Sequence, residues 1–172
     1  MAGSPDSGPG AEWWFYHIEH GSLDQAIGPL LEKCLDRRWR VVVAGREETI
    51  NKLDGTLWTW RDDSFLPHGR GRSAPARQPV LLSTVAEPDN GARVALLLDG
   101  LEADAAKFDR CMVVFDGGDA ETRAKARKQY KAAADAGAVA RYFQQERGGW
   151  KEMTPSKPAR SDETPEGSGA KN

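Results

Sequence analysis

Cysteine is scarce in this sequence: 2 of 172 residues, Cys34 and Cys111, far apart and each in an apolar setting. That excludes a disulfide-stapled scaffold, and without a Cys-x-x-Cys pair a zinc site has no ligand framework. The two thiols read as buried and reduced. Long apolar runs are missing as well; none approaches the ~20 residues a membrane span requires. Residues 1–10 are rich in Gly, Pro and Ser and lack the basic-then-apolar pattern of a secretion signal, so a cytoplasmic location is expected by elimination. Nor is one charge in excess. The 24 Lys and Arg face 26 Asp and Glu, a net of -2, whereas a protein that coats nucleic acid carries a marked basic surplus.

What is present suffices for one core. Hydrophobic residues make up 39% of the chain, at the length of one ordinary domain. Residues 1–11 and 154–172 lack aliphatic side chains that could offset chain entropy and read as disordered flanks around a body at 12–153. Within the body, strand and helix patterns alternate. Trp14-Phe15-Tyr16-His17-Ile18 is β-prone. Ser22 offers an N-cap with Gln25 as capping-box partner, and Leu23, Ala26, Ile27, Leu30, Leu31, Cys34 and Leu35 follow at helical spacing. Residues 39–44 hold the run Val41-Val42-Val43 of a strand buried on both faces. Residues 47–58 read as a second helix, 79–84 and 93–98 as strands, 102–108 as a short helix and 111–115 as another buried strand. Residues 119–136 form a long Ala-rich helix stopped by Gly137, and 138–145 a last strand. Residues 69–76, rich in Gly, Arg and Pro, read as a mobile loop. Such alternation predicts a single three-layer α/β domain with a largely parallel sheet.

The familiar chemistries of α/β folds are absent. Glu19-His20-Gly21-Ser22 and Gly45-Arg46-Glu47-Glu48 follow the first two strands; neither is a Gly-x-Gly-x-x-Gly turn or a phosphate loop, and acids at a helix start repel phosphate. No nucleotide site or cofactor is expected. His17 and His20 read as polar strand-end residues with no Ser or Cys nucleophile motif nearby. Asp62-Asp63 read as turn residues beside Ser64 rather than an acid/base pair. The chain is not expected to be an enzyme.

Two segments carry more. In the first, residues 57–68, two Trp, a Phe, a Leu and a Pro lie beside a turn; these rings either complete the core beneath a loop or present an apolar patch to a protein partner. In the second, Arg123, Arg127, Tyr130 and Lys131 fall within about one quarter of a helix circumference. They form either a solvated basic face or a cationic stripe with an aromatic edge. Ala126 and Ala133 beside them read as a shallow small-residue floor suited to an acidic peptide with an apolar anchor. Like charges at i,i+4 are mildly destabilising, so three cations there without an interleaved acid favour a function. Rival readings are a direct single-stranded nucleic-acid binder using Arg70, Arg72, Arg77 and the basic helix, which would lack interleaved aromatic rings for stacking, and a small α/β enzyme of unknown substrate.

Leu57-Trp58 with Ser64-Phe65-Leu66-Pro67-His68 is similar to the Leu-Trp…Ser-Phe-(Val/Leu)-Pro-His segment of the chi subunits of bacterial DNA polymerase III holoenzyme. Arg127-x-x-Tyr130-Lys131, closed by Gly137, resembles the Arg-x-x-Tyr-Lys…Gly helix of the same family, and Trp14-Phe15-Tyr16 and Trp150-Lys151 also match. The likeness spans about residues 13–152. Gln129 departs from a commonly basic position, and the segment after Gly137 differs. The resemblance implies a Rossmann-like fold without nucleotide chemistry and a non-catalytic adaptor in DNA replication. It implies that Arg123, Arg127, Tyr130 and Lys131 hold the acidic, Pro-Phe-ending tail of single-stranded-DNA-binding protein (SSB). It also implies that Trp58, Phe65 and Pro67 face the psi subunit, the link to the clamp loader. DNA is then reached indirectly through SSB, and a repair helicase is a further candidate partner.

Overall fold

The computed structural model describes residues 10–59, 66–70, 78–147 and 149–153. The aromatic run near the start becomes β1, Glu12–Ile18. Ser22 and Gln25 close a capping box at the start of α1, Leu23–Asp36, as the Ser-x-x-Gln spacing predicts. Then come β2, Val41–Ala44, buried at all four positions, and α2, Glu47–Thr59. The two-residue β3, Gly69–Arg70, β4, Val80–Ser83, and β5, Val94–Leu97, follow. The helix expected at 102–108 is a single 3-10 turn, Ala105–Lys107. Next are β6, Arg110–Asp116, and α3, Ala120–Asp135, N-capped by the Asp119 carboxylate. Gly137, at φ 82°, stops α3 in the left-handed conformation that a glycine enters freely. β7, Ala140–Glu146, and β8, Gly149–Met153, end the described chain.

The strands form one sheet in the order β3-β4-β2-β5-β6-β1-β7-β8. Every neighbouring pair is parallel except β7–β8, so the expectation of a largely parallel α/β sheet holds. α1 and α2 cover one face with Ile27, Leu31, Ile50, Leu53 and Leu57 against Val41, Val43, Leu96 and Val114. α3 and the segment around the 3-10 turn cover the other, over Phe15, Val42, Leu97, Val113 and Phe115. Period-2 alternation sends neighbouring residues of one strand into opposite cores: Phe15 into the second, Tyr16 into the first. Ala11 is buried in the second core. Two corrections follow. Gly69 and Arg70 are not loop but pair in parallel with Leu81 and Leu82, and the chain adds an edge strand, β8, beyond the last one expected.

Cys34 and Cys111 are free and buried. Burial pushes the Cys34 thiol up to about 11 and the Cys111 thiol up to about 12, from an ordinary 9.0; the Tyr16 phenol also moves upward for the same reason. Below pH 9 both states hold these protons. As pH rises further the unfolded chain releases them first, so it binds fewer protons than the native state and stability falls. The urea midpoint should therefore decrease between about pH 9 and 11, and Ellman's reagent at pH 8 should find both thiols inert until the chain unfolds. Thiols that react at once in the native protein contradict the burial.

Candidate peptide-binding face

α3 packs through Thr122, Ala126 and Ala133, all buried. This corrects the expectation of an open alanine floor: Ala126 is 3% exposed and Ala133 5%, so both belong to the core. The flank of α3 toward β7 carries the aromatic edge instead. The Tyr130 ring meets Phe15 edge-on at 5.3 Å and 62°, and lies 6.4 Å from Tyr142 at 78°. Tyr142 reaches this place from β7 because Phe15 and Tyr142 are register partners in the β1–β7 ladder.

Tyr142 Oη is 2.6 Å from His17 Nδ1, and the His17 ring stacks on Phe115 at 5.0 Å and 27°. His17 is thus a half-buried member of an aromatic cluster, not a plain strand-end polar residue. It lies so close over Gly117 that an added Cβ would sit 1.9 Å from Nε2, so any larger residue there displaces the His17 ring. Burial raises the Tyr142 phenol, and Arg127, acting against that, is the cation nearest in effect. The hydroxyl therefore stays neutral through the physiological range.

The four stripe residues do not share one environment. Arg123 is half-buried and donates from Nη1 to the Gly117 carbonyl at 2.8 Å, which ties the first turn of α3 to the end of β6. Lys131 is 3.2 Å from Asp135 at i+4, both well exposed, so the last cation of the stripe is paired with an acid one turn beyond it. Lys125 likewise pairs with Glu121 at 3.5 Å. Arg127 is exposed, and among the described residues no carboxylate lies within ion-pair distance of it. Arg127, Tyr130, Tyr142 and His17 thus join an exposed cation to a pair of phenol rings over a buried aromatic floor. Sequence reasoning missed Tyr142 and placed His17 outside the site.

On the other face of the sheet, α2 ends in Trp58, 58% exposed, with its ring 4.6 Å from that of His68. His68 is buried, with Nδ1 2.8 Å from the Leu66 carbonyl and Nε2 3.0 Å from Asp54 Oδ1. Leu66 is buried and Pro67 half-buried, so this segment divides between the two readings: Leu66 and His68 complete the core, while Trp58 is presented to solvent. Phe65, Asp62, Asp63, Ser64, Arg72 and Arg77 lie outside the described residues. Arg70 is engaged by Asn51 and Glu47.

A family profile described as DNA polymerase III chi subunit, HolC, matches residues 11–141. The chain belongs to the DNA polymerase III chi subunit family. The probable DNA polymerase III subunit chi of Rickettsia prowazekii (strain Madrid E) is 30% identical over 88 residues, 48% of this chain and 52% of that protein. The chain thus matches about half the length of this chi relative. The match to the chi family ends within β7, so Tyr142 lies just outside it. Among the described residues no cluster of three or more His, Cys, Asp or Glu could hold a metal ion, and no helix is long and apolar enough to cross a membrane.

Proposed function

We propose that this chi-family protein is a non-catalytic adaptor of DNA replication that holds the acidic C-terminal tail of SSB on the β7 flank of α3. The observation that carries this reading is Arg127, an exposed guanidinium with no carboxylate partner among the described residues, beside the half-buried rings of Tyr130 and Tyr142. Arg127 grips a carboxylate of the tail, the terminal one being best placed for a bidentate contact. Lys131 exchanges Asp135 for a tail aspartate, and the tail's final Phe lies against the tyrosines. Exposed ion pairs contribute roughly 0.2–1 kcal/mol each, a buried Phe ring about 1.5–3 kcal/mol and a charge-assisted bond about 1.5–3 kcal/mol. Their sum falls short of the roughly 8.2 kcal/mol of a micromolar complex. One tail therefore binds weakly and in a salt-sensitive way, and the several tails of an SSB multimer raise the effective affinity.

Titration with a tail peptide by fluorescence anisotropy tests this. Removing the final Phe should lower affinity by at least about tenfold, the equivalent of the lower half of its burial energy. Equal affinity of the two peptides removes the aromatic pocket from the reading.

A second contact of the adaptor is the psi subunit, through Trp58, Pro67 and Phe65. An exposed Trp seated on a buried histidine suits an interface anchor. Trp58→Ala should abolish co-elution with psi in gel filtration while leaving tail titrations unchanged; co-elution that persists moves psi elsewhere.

A further inference from the structure

Beyond the two contacts proposed above, the edge of the sheet at the N-terminal ends of its strands carries an alternating stack of guanidinium groups and indoles. Arg141 of β7 lies over Trp14 of β1 at 4.6 Å, Arg110 of β6 over the same ring at 4.1 Å, and Arg110 again over Trp39 at 4.5 Å. Arg37 completes the series at 4.9 Å from Trp39. Five side chains from three strands and the end of α1 thus make one ladder, Arg141-Trp14-Arg110-Trp39-Arg37. Two of its three cations are balanced by acids: Glu12 takes Trp14 Nε1 at 3.0 Å and Arg110 at 3.4 Å, and Glu152 takes Arg141 in a two-pronged pair at 2.9 and 2.6 Å.

The Arg37 end is not balanced. Arg37 is exposed, and among the described residues it has neither a carboxylate within ion-pair distance nor a ring on its second face. Its Cζ lies over the Trp39 ring, and among the described residues its N–H groups meet no acceptor.

The residue beside it supplies an independent observation. α1 ends with the Arg38 amide on the Leu35 carbonyl at 2.8 Å and the Trp39 amide on the Cys34 carbonyl at 2.9 Å. α3 ends with the same pair of bonds, from Gly137 to Ala134 and from Ala138 to Ala133. In α3 the left-handed position is glycine; in α1 it is Arg38, at φ 63°. A side chain there is strained relative to glycine, and the exposed Arg38 has no acid within ion-pair distance among the described residues. Two adjacent unpaired cations therefore stand at the open end of an aromatic ladder, one of them at a position where backbone preference alone would choose glycine.

We propose that this ladder end binds single-stranded nucleic acid. The in-plane N–H groups of Arg37 and the Arg38 cation hold backbone phosphates, and a base extends the stack on the open face of Arg37. Guanidinium planes and aromatic rings serve as platforms for unpaired bases, and a stacked arginine offers its fork edge-on to phosphate. An acidic polypeptide without aromatic rings could use the edge but not the plane, whereas every nucleotide supplies both a phosphate for the edge and a ring for the plane, so the ladder favours a nucleotide chain. The surface uses neither Arg70 nor α3, and it interleaves rings with cations.

Anisotropy of a labelled oligothymidine with the full chain is the test. At about 150 mM salt the wild-type chain should bind in the range of roughly 1–100 µM, as non-specific contacts do, and more tightly at about 50 mM. Arg38→Gly removes the charge while relieving the left-handed backbone, so the fold is kept. Combined with Arg37→Ala it should weaken binding by about fivefold or more and reduce the logarithmic salt slope by about 1.4, the value for two phosphates on a single strand. Arg37→Lys keeps the charge but loses the plane and should still weaken binding by about fivefold, the low end for one stacked base. Arg127→Ala should leave it unchanged, and the Arg37→Ala/Arg38→Gly chain should still take the SSB tail peptide. The proposal is overturned by no binding at low salt, by wild-type affinity in the double variant, by loss of binding in Arg127→Ala instead, or by equally tight binding of polyglutamate.

Discussion

Replacing Arg127 with Ala should weaken tail-peptide binding by about tenfold to a hundredfold, the span of one charge-assisted hydrogen bond of roughly 1.5–3 kcal/mol. The melting temperature stays within about 2 °C, because a surface substitution away from caps and networks changes stability by no more than about 0.5 kcal/mol. Arg127 is exposed and makes no ion pair among the described residues, so its loss leaves no orphaned group. The neighbouring cations behave differently. Lys131 already has Asp135 at 3.2 Å, so its gain on binding is partly offset, and Lys131→Ala has the smaller effect. Arg123 holds the Gly117 carbonyl; its removal lowers the melting temperature as well as affinity. Calorimetric titration beside thermal melts separates the three. If Arg127→Ala binds the tail like wild type, the tail is not on this flank.

Phe15→Ala should be the most destabilising single change in the aromatic floor, by about 3–5 kcal/mol, or about 6–20 °C in melting temperature for a domain of this size. Phe15 is fully buried in a strand with parallel neighbours on both sides. Its ring lies 6.1 Å from Trp13 and 5.3 Å from Tyr130. Truncation leaves a cavity that α3 cannot close without moving, since Ala126 and Ala133 are already against the core. Tyr130 then loses the edge contact that sets its ring, so tail affinity falls too. Phe15→Leu keeps most of the volume and should cost less on both counts. Urea unfolding measures the first effect and peptide titration below the transition the second. A loss under about 1 kcal/mol for Phe15→Ala means the floor is not packed as described.

The elements that could be read from the sequence were those with a strong local cause. Ser22 with Gln25, Asp119 at the start of α3 and Gly137 at its end fixed two helices nearly to the residue, because caps act through groups three or four residues apart. β2 was legible because a run buried on both faces admits no polar residue. β3 and β8 were not. Two residues hold no period, and β8, with Lys151 and Glu152 exposed, gains its order from pairing with β7. The site divides along the same line. The azimuths of Arg123, Arg127, Tyr130 and Lys131 follow from helix geometry, but a wheel does not say which azimuth meets the sheet. In an alanine-rich helix the core face and a shallow floor look alike, and Ala126 and Ala133 were assigned to the wrong one. Tyr142 and His17 come together only through the β1–β7 register, across 125 residues. The one trace of it is the shared alternation of Trp13, Phe15 and His17 with Ala140, Tyr142 and Gln144.

The sheet separates Trp58, at the end of α2, from Arg127 on α3. A ligand at either residue meets a different side of a rigid slab, so occupancy of one does not sterically block the other. An intermediary built this way can be held by two neighbours at once. On the function proposed above, its grip on each would be set independently, and exchanging one neighbour would require no release of the other.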